Sequence, residues 1–246
     1  MSLARFLVPA FVFLTGIAPA ASVTVPFVGC PSDGQMGPQP IPKGKPVPVS
    51  LPAAMASRLA FYRSTQWDGV LAPRGWHCAH LYGSNGWFTV VAQEPVTPAS
   101  FLGTKPKPIS GPAIQLSQSD SGTSGRFEVA RLIARYFPER RAFLKSVIDE
   151  GIEAASDFRE GPFQTDILVS RRKDVVEYLT PAGKEGLGTV SRLSPSVLPI
   201  HAVAAVGGAR DEDWAGYVLA VRLPKDQEDL APAILDWAAK TYWETK

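Results

Sequence analysis

Apolar positions come first as one block, then as short alternating runs, and only later at helical spacing. The block, Phe6 to Ile17, is broken only by Pro9, Thr15 and Gly16; Arg5 precedes it and Ala18-Pro19-Ala20 follows. This is the layout of a cleavable secretory signal. It predicts cleavage before Ala21, with a cut after Ser22 nearly as good. The block is shorter than the ~20 residues that span a bilayer. No later run of that length lacks charge, so no transmembrane segment is expected in the mature chain.

Val23–Val28 reads as a short strand, and residues 31–48 form a Pro/Gly-rich extended connector. Pro52–Tyr62 is predicted to be helical, with Met55, Leu59 and Tyr62 on one face. Trp76–Tyr82 and Trp87–Ala92 flank Gly83-Ser84-Asn85-Gly86, a strong hairpin signal. Asn85, the chain's only asparagine, is expected in a left-handed backbone conformation. After a second Pro-rich stretch come a strand at Ala113–Ser117 and a polar loop to Gly125. Helical spacing then covers Gly125–Phe137, with Ser124 as N-cap, and a segment starting at Pro138 and ending near Gly151. Thr165–Ser170 and Val175–Thr180 form a second hairpin around a charged turn; Pro199–Val206 and Gly216–Leu223 are further strands. A last helix, Asp229–Tyr242, carries Leu230, Ile234, Trp237 and Thr241 on one side, with Pro232 in its first turn. The predicted class is α+β, mainly antiparallel strands and hairpins with about four helices and one disulfide. Residues 21–246 are expected to form a single domain: a Pro/Gly-rich β half to residue 118 and a helix-and-sheet half from residue 124.

Removing 20 of the 246 residues leaves a mature chain of 226, long enough to bury a core. Formal net charge is +2, or +1 without Arg5. That near-neutral balance argues against nucleic-acid partners and offers no basic stripe for anionic membranes. In an oxidising compartment Cys30 and Cys78, the only cysteines, are expected to pair. Closing that loop contributes about 4 kcal/mol by chain entropy. Phe27-Val28-Gly29-Cys30 also resembles a lipobox, but Thr24 and Pro26 separate it from the apolar block.

Trp76-His77-Cys78-Ala79-His80 is the only cluster of metal-type ligands. On a strand, His77 and His80 face opposite ways, and an oxidised Cys78 cannot act as a thiolate, so no metal is expected. Ser119-Asp120-Ser121-Gly122 resembles part of a trypsin-like nucleophile loop, but Ser121 lies only 44 residues after His77 and Trp76 breaks the histidine's setting. No G-x-S-x-G elbow, Walker loop or G-x-G-x-x-G motif is present, and no cofactor is expected. His201 reads as a core histidine, and Asp211-Glu212-Asp213 as a solvated turn.

Gly69 to Cys78, GVLAPRGWHC, followed by the Tyr82-Gly83-Ser84 turn, resembles a group of bacterial exported proteins that share such a segment. The resemblance spans about residues 60–90, is weaker at Thr180–Thr189, and implies export but no activity. Arg74, Trp76, His77, Tyr82, Asn85 and Trp87 gather planar and polar groups near one hairpin. They are the candidate surface for binding a protein or glycan of the envelope, in a non-catalytic periplasmic or secreted protein; the other reading of the same aromatics is core packed around the disulfide, and burial of Trp76 and Trp87 decides between the two. The alternative is an exported hydrolase acting on envelope or extracellular polymers, with His77 or His80 as base beside Ser84 or a carboxylate.

Overall fold

The computed structural model describes residues 23–103, 106, 108–208 and 213–243. The export signal and its cleavage site, as well as Asp211 and Glu212, lie outside these residues. Pro26 splits the first predicted strand into β1 (Val23–Val25) and β2 (Phe27–Gly29). Proline has no N–H for a ladder; its carbonyl instead accepts from Phe61 N at 2.9 Å. The connector holds β3 (Ser32–Gly34) and β4 (Val47–Val49), and β4 pairs antiparallel with β1.

The helix expected over Pro52–Tyr62 is only α1 (Ala53–Ala56); Leu59–Arg63 is instead a strand, β5. Leu59, Ala60, Phe61 and Tyr62 are all buried. Four consecutive buried residues need cover on both faces, which a one-striped helix does not give. Here β5 lies between β2, parallel to it, and β6 (Val70–Pro73), antiparallel. The aromatic hairpin is β7 (His77–Gly83) and β8 (Gly86–Ala92). No non-glycine residue described has a positive φ, so Asn85 is not left-handed; Gly86 takes φ 136° instead. A Cβ on Gly86 would stand 2.0 Å from Gln118 O on the next strand, β9 (Ala113–Asp120). β9 runs three residues further than its apolar positions suggest.

The helices α2 (Arg126–Tyr136) and α3 (Arg141–Asp149) follow. Ser124 does not cap α2. That position falls to Gly125, which is pressed so close to the Asn85 carbonyl that a Cβ would sit 2.2 Å from it. β10 (Ile167–Arg172) and β11 (Val175–Thr180) make the second hairpin; β12 (Ile200–Gly208) and β13 (Trp214–Arg222) complete the strands. The last helix forms over the expected span. Its α-helical part is α4 (Ala231–Ala238), with Pro232 in its first turn; a 3-10 segment, Lys225–Leu230, precedes it and a π turn, Ala239–Trp243, in which Thr241 is exposed, continues it.

One eight-stranded sheet, in the order β10-β11-β12-β13-β9-β8-β7-β3, takes strands from both halves of the chain. Its pairs are antiparallel except β3 with β7. On one face Tyr82, Trp87, Val91, Leu116 and Leu219 pack with Leu59, Leu71 and α4 residues Ile234 and Leu235. On the other, α2 and α3 cover β11–β13, while Phe101 and Leu193 cover Ala79, Leu81 and Val90. The Cys30–Cys78 disulfide forms, with Cα atoms 5.3 Å apart, and ties the segment after β2 to β7. Its sulfur being in that bridge, Cys30 has no thiol for a lipid thioether, which argues against the lipobox reading. Among the described residues no helix is long and apolar enough to cross a membrane.

Candidate functional site

Strand alternation sorts the hairpin residues as the sequence suggests, but the sheet buries most of them. Trp76 is 8% exposed and Trp87 is 6% exposed; Tyr82 is buried with them. Arg74, His77 and Asn85 are exposed. The Trp87 indole donates to Gln118 Oε1 at 3.2 Å, and the Tyr82 hydroxyl donates to the Gly37 carbonyl. Arg74 Nε donates to Leu59 O at 2.9 Å. Arg74, Trp76 and His77 sit at the start of β7, whereas Tyr82, Asn85 and Trp87 sit around its far turn. The six residues therefore do not share one face.

His80 is fully buried under Trp67, whose indole stacks on it at 4.6 Å and on Tyr82 at 4.7 Å. Its Nδ1 meets Thr89 Oγ1 at 2.8 Å, and burial pushes its pKa down to about 4. A base sealed in this way has no path to a substrate. His77 opens β7 and Ser84 follows its last residue, so the strand holds them about 20 Å apart at its usual rise. His201 Nε2 stands 4.0 Å from Glu228 Oε1. Ser121 is buried and accepts from Trp214 N at 2.7 Å. Among the described residues, no three His, Cys, Asp or Glu side chains converge as a metal site.

Another feature is a trough across the middle of the sheet. On the α2 side, β9 presents Ala113, Gln115, Ser117 and Ser119. Register sets Ser119 between Gly86 and Gly216, and Ser117 between Phe88 and Val218. The first row has little side-chain bulk; α2 comes down onto Gly216, where a Cβ would meet Leu132 Cδ2 at 3.2 Å, and the open floor lies over Ser117 and Ser119. α2 forms one wall, through Glu128, Arg131, Leu132 and Arg135; Phe163 and Val190 form the other, around about 270 Å³. A second hollow of about 300 Å³ shares Ser117 and Ser119 and runs on to Tyr82, Asn85, Trp87, Phe88 and Arg192. The two hollows adjoin at Ser117 and Ser119, one reaching to α2 and the other to the β7–β8 turn. Of the predicted surface residues, exposed Asn85 borders the second hollow; Tyr82 and Trp87 border it too, but their rings pack into the core on the opposite face of the sheet.

Arg131 is committed to Glu128 and Glu153, at 2.6 and 2.5 Å. Arg135 lies over the Phe163 ring at 3.9 Å and donates only to Gly161 O, at 3.3 Å. The Arg192 guanidinium lies over Phe88 at 5.3 Å. Neither Arg135 nor Arg192 has a carboxylate at ion-pair distance among the described residues. Deeper in, the buried Tyr136 hydroxyl lies beside Asp166 without a well-formed hydrogen bond. Burial raises the Tyr136 pKa, and it raises that of Asp166 against hydrogen bonds from Thr180 and Leu187 N.

Ser117 and Ser119 were missed because residues 117–125 read as a loop; Arg135 and Arg192 carry no motif, and only the fold brings them to these serines. The available signal was the alternation of Ile114, Leu116 and Gln118 with Gln115, Ser117 and Ser119, which marks a strand with one polar face. Compared with known proteins, the chain matches no family model, no curated protein and no solved structure.

Proposed function

We propose that the protein is an exported, non-catalytic binding or accessory protein of the bacterial envelope, periplasmic or secreted, with its ligand held in the trough across the sheet. The observation that carries this reading is the pair of hollows that meet over Ser117 and Ser119, polar-floored where the sheet is otherwise packed against α2 or the segment around Phe101. Concave sites with a few convergent polar groups are where proteins hold small or extended ligands. Export is supported by the layout of residues 1–20 and fits the Cys30–Cys78 bridge. A hydrolase needs a base at the wall of a cleft; no histidine lines either hollow of the trough, and Glu128, the carboxylate in its wall, is held in an ion pair by Arg131.

Two measurements test the reading. Intact mass of protein recovered from the native periplasm or medium is expected to correspond to a chain starting at Ala21 with both cysteines oxidised. A cytosolic, full-length, reduced chain would remove the export claim. On an array of envelope glycans and peptides, the wild type is expected to retain ligands that Ser119→Phe, which fills the trough, does not. Equal retention by the two proteins, or none by the wild type, would remove the trough as a binding site.

A further inference from the structure

Resting on the binding role proposed for the trough, we infer that its ligand is an acidic oligosaccharide whose carboxylates are held by Arg135 and Arg192. Both guanidiniums lie against aromatic rings, Phe163 and Phe88. Stacking fixes the plane of the group and leaves its N–H edges for a planar anion. Arg131, in the same wall, already pairs with Glu128 and Glu153, whereas among the described residues no carboxylate lies at ion-pair distance from Arg135 or Arg192, Asp166 acting on Arg135 from farther off. Guanidiniums without a close counter-ion favour a ligand that brings its own negative charge.

Arg192 is also held from behind. Its backbone N donates to Gln115 Oε1 at 2.8 Å, and its carbonyl accepts from Ile109 N at 2.8 Å. Next along the chain, buried Arg222 donates to the carbonyls of Ser194 and Ile109. This wall is therefore a fixed support rather than a loose loop.

The floor decides between saccharide and peptide. Strands β8, β9 and β13 are interior, each hydrogen-bonded on both sides. Their backbone N–H and C=O groups are spent, so an extended peptide finds no edge to pair with. What the trough offers is hydroxyls from Ser117 and Ser119, the Asn85 amide and the two guanidiniums. These groups match the hydroxyls and carboxylates of a uronic-acid chain.

The test is isothermal titration of the oxidised protein with a galacturonic acid hexamer, a neutral galactose hexamer and a hexaglutamate peptide. The acidic sugar is expected to bind, more weakly as salt rises. Arg135→Gln and Arg192→Gln should each weaken it by about tenfold or more, with lysine at either position restoring part of the loss. Arg192→Gln guards against a folding artefact at Arg135, because among the described residues the Arg192 guanidinium makes no hydrogen bond, and thermal melts of each variant confirm the native state. If the neutral hexamer binds equally well and the glutamine variants match the wild type, the anionic assignment fails while the trough remains a binding site. Binding of hexaglutamate as tight as that of the sugar overturns the saccharide assignment. If the wild type binds none of the three probes, the acidic-saccharide inference falls, and the array measurement alone decides whether the trough binds anything else.

Discussion

His80 sits at 0% exposure between Trp67, Tyr82 and Trp87, with only Thr89 to bond it, and burial lowers its pKa from 6.5 to about 4. The unfolded chain therefore binds a proton between pH 6.5 and 4 that the folded chain refuses. Stability is complete above pH 6.5 and falls as pH drops towards 4, by about 3 kcal/mol in all. His80→Gln can still bond Thr89 but does not titrate. Urea unfolding at a series of pH values should show the wild type losing that stability relative to the variant, and parallel curves would refute the account. Alternation alone put His80 on the face shared by Cys78 and Tyr82, and the structure agrees. Whether that face met solvent or core was not legible, since its cover comes from Trp67 on another loop and α4 far along the chain. Arg222 was hidden for the same reason. It is fully buried, with carbonyls of Gly111, Ser194 and Ile109 as acceptors, and nothing in the surrounding strand pattern announces those distant partners.

Among elements, the β7–β8 hairpin was read correctly as a hairpin and wrongly in its turn. The Asn-Gly pair signals a tight reversal, but the next strand decides which residue must lack a side chain. Gly86 combines φ 136° with a Cβ position 2.0 Å from Gln118 O, whereas a Cβ on Gly83 meets only the tip of the Asn85 side chain, at 3.2 Å. Gly86→Ala should therefore cost about 2 kcal/mol or more through strain and lost pairing with β9, and Gly83→Ala less than half of that. Chemical denaturation of both variants checks it, and equal losses would mean that the β9 contact is not what requires glycine. The segment over β5 failed for a different reason. Met55, Leu59 and Tyr62 fit a helical stripe, but so does any dense apolar run, and Leu59–Tyr62 is fully apolar over four residues. Length and two-sided cover, which periodicity cannot supply, decide such cases. β9 was cut short because its last residues alternate Ser and Gln, which looks like a loop until the polar positions are seen to fall on one face.

For the whole molecule, the compositional boundary near residues 118–124 is not a boundary in the fold. β9, from the Pro/Gly-rich half, pairs with β13 over eight residues, Ala113 to Asp120. The last helix crosses back over the front half: Trp237 packs edge-on against Phe61 at 5.6 Å, and the Tyr242 hydroxyl donates to Gly69 O at 2.7 Å. At its approach Asp229 takes a two-pronged bond from Arg58, at 2.6 and 3.0 Å. Neither half can lose its structure without exposing apolar surface on the other, so the described fold should unfold in one step. The disulfide joins residues 48 apart wholly within the front half. In the chain-entropy account it acts on the unfolded ensemble, by about 4 kcal/mol. The Cys30→Ala/Cys78→Ala double variant should thus unfold at lower urea, yet still in a single transition. Tryptophan fluorescence, with Trp67, Trp76 and Trp87 in front and Trp214, Trp237 and Trp243 behind, should then coincide with far-ultraviolet circular dichroism. Were the front half an independent unit held by its crosslink, the variant would melt in two stages, fluorescence ahead of the residual helical signal. Such a split would break the shared-sheet account, and with it the fixed floor on which the trough depends.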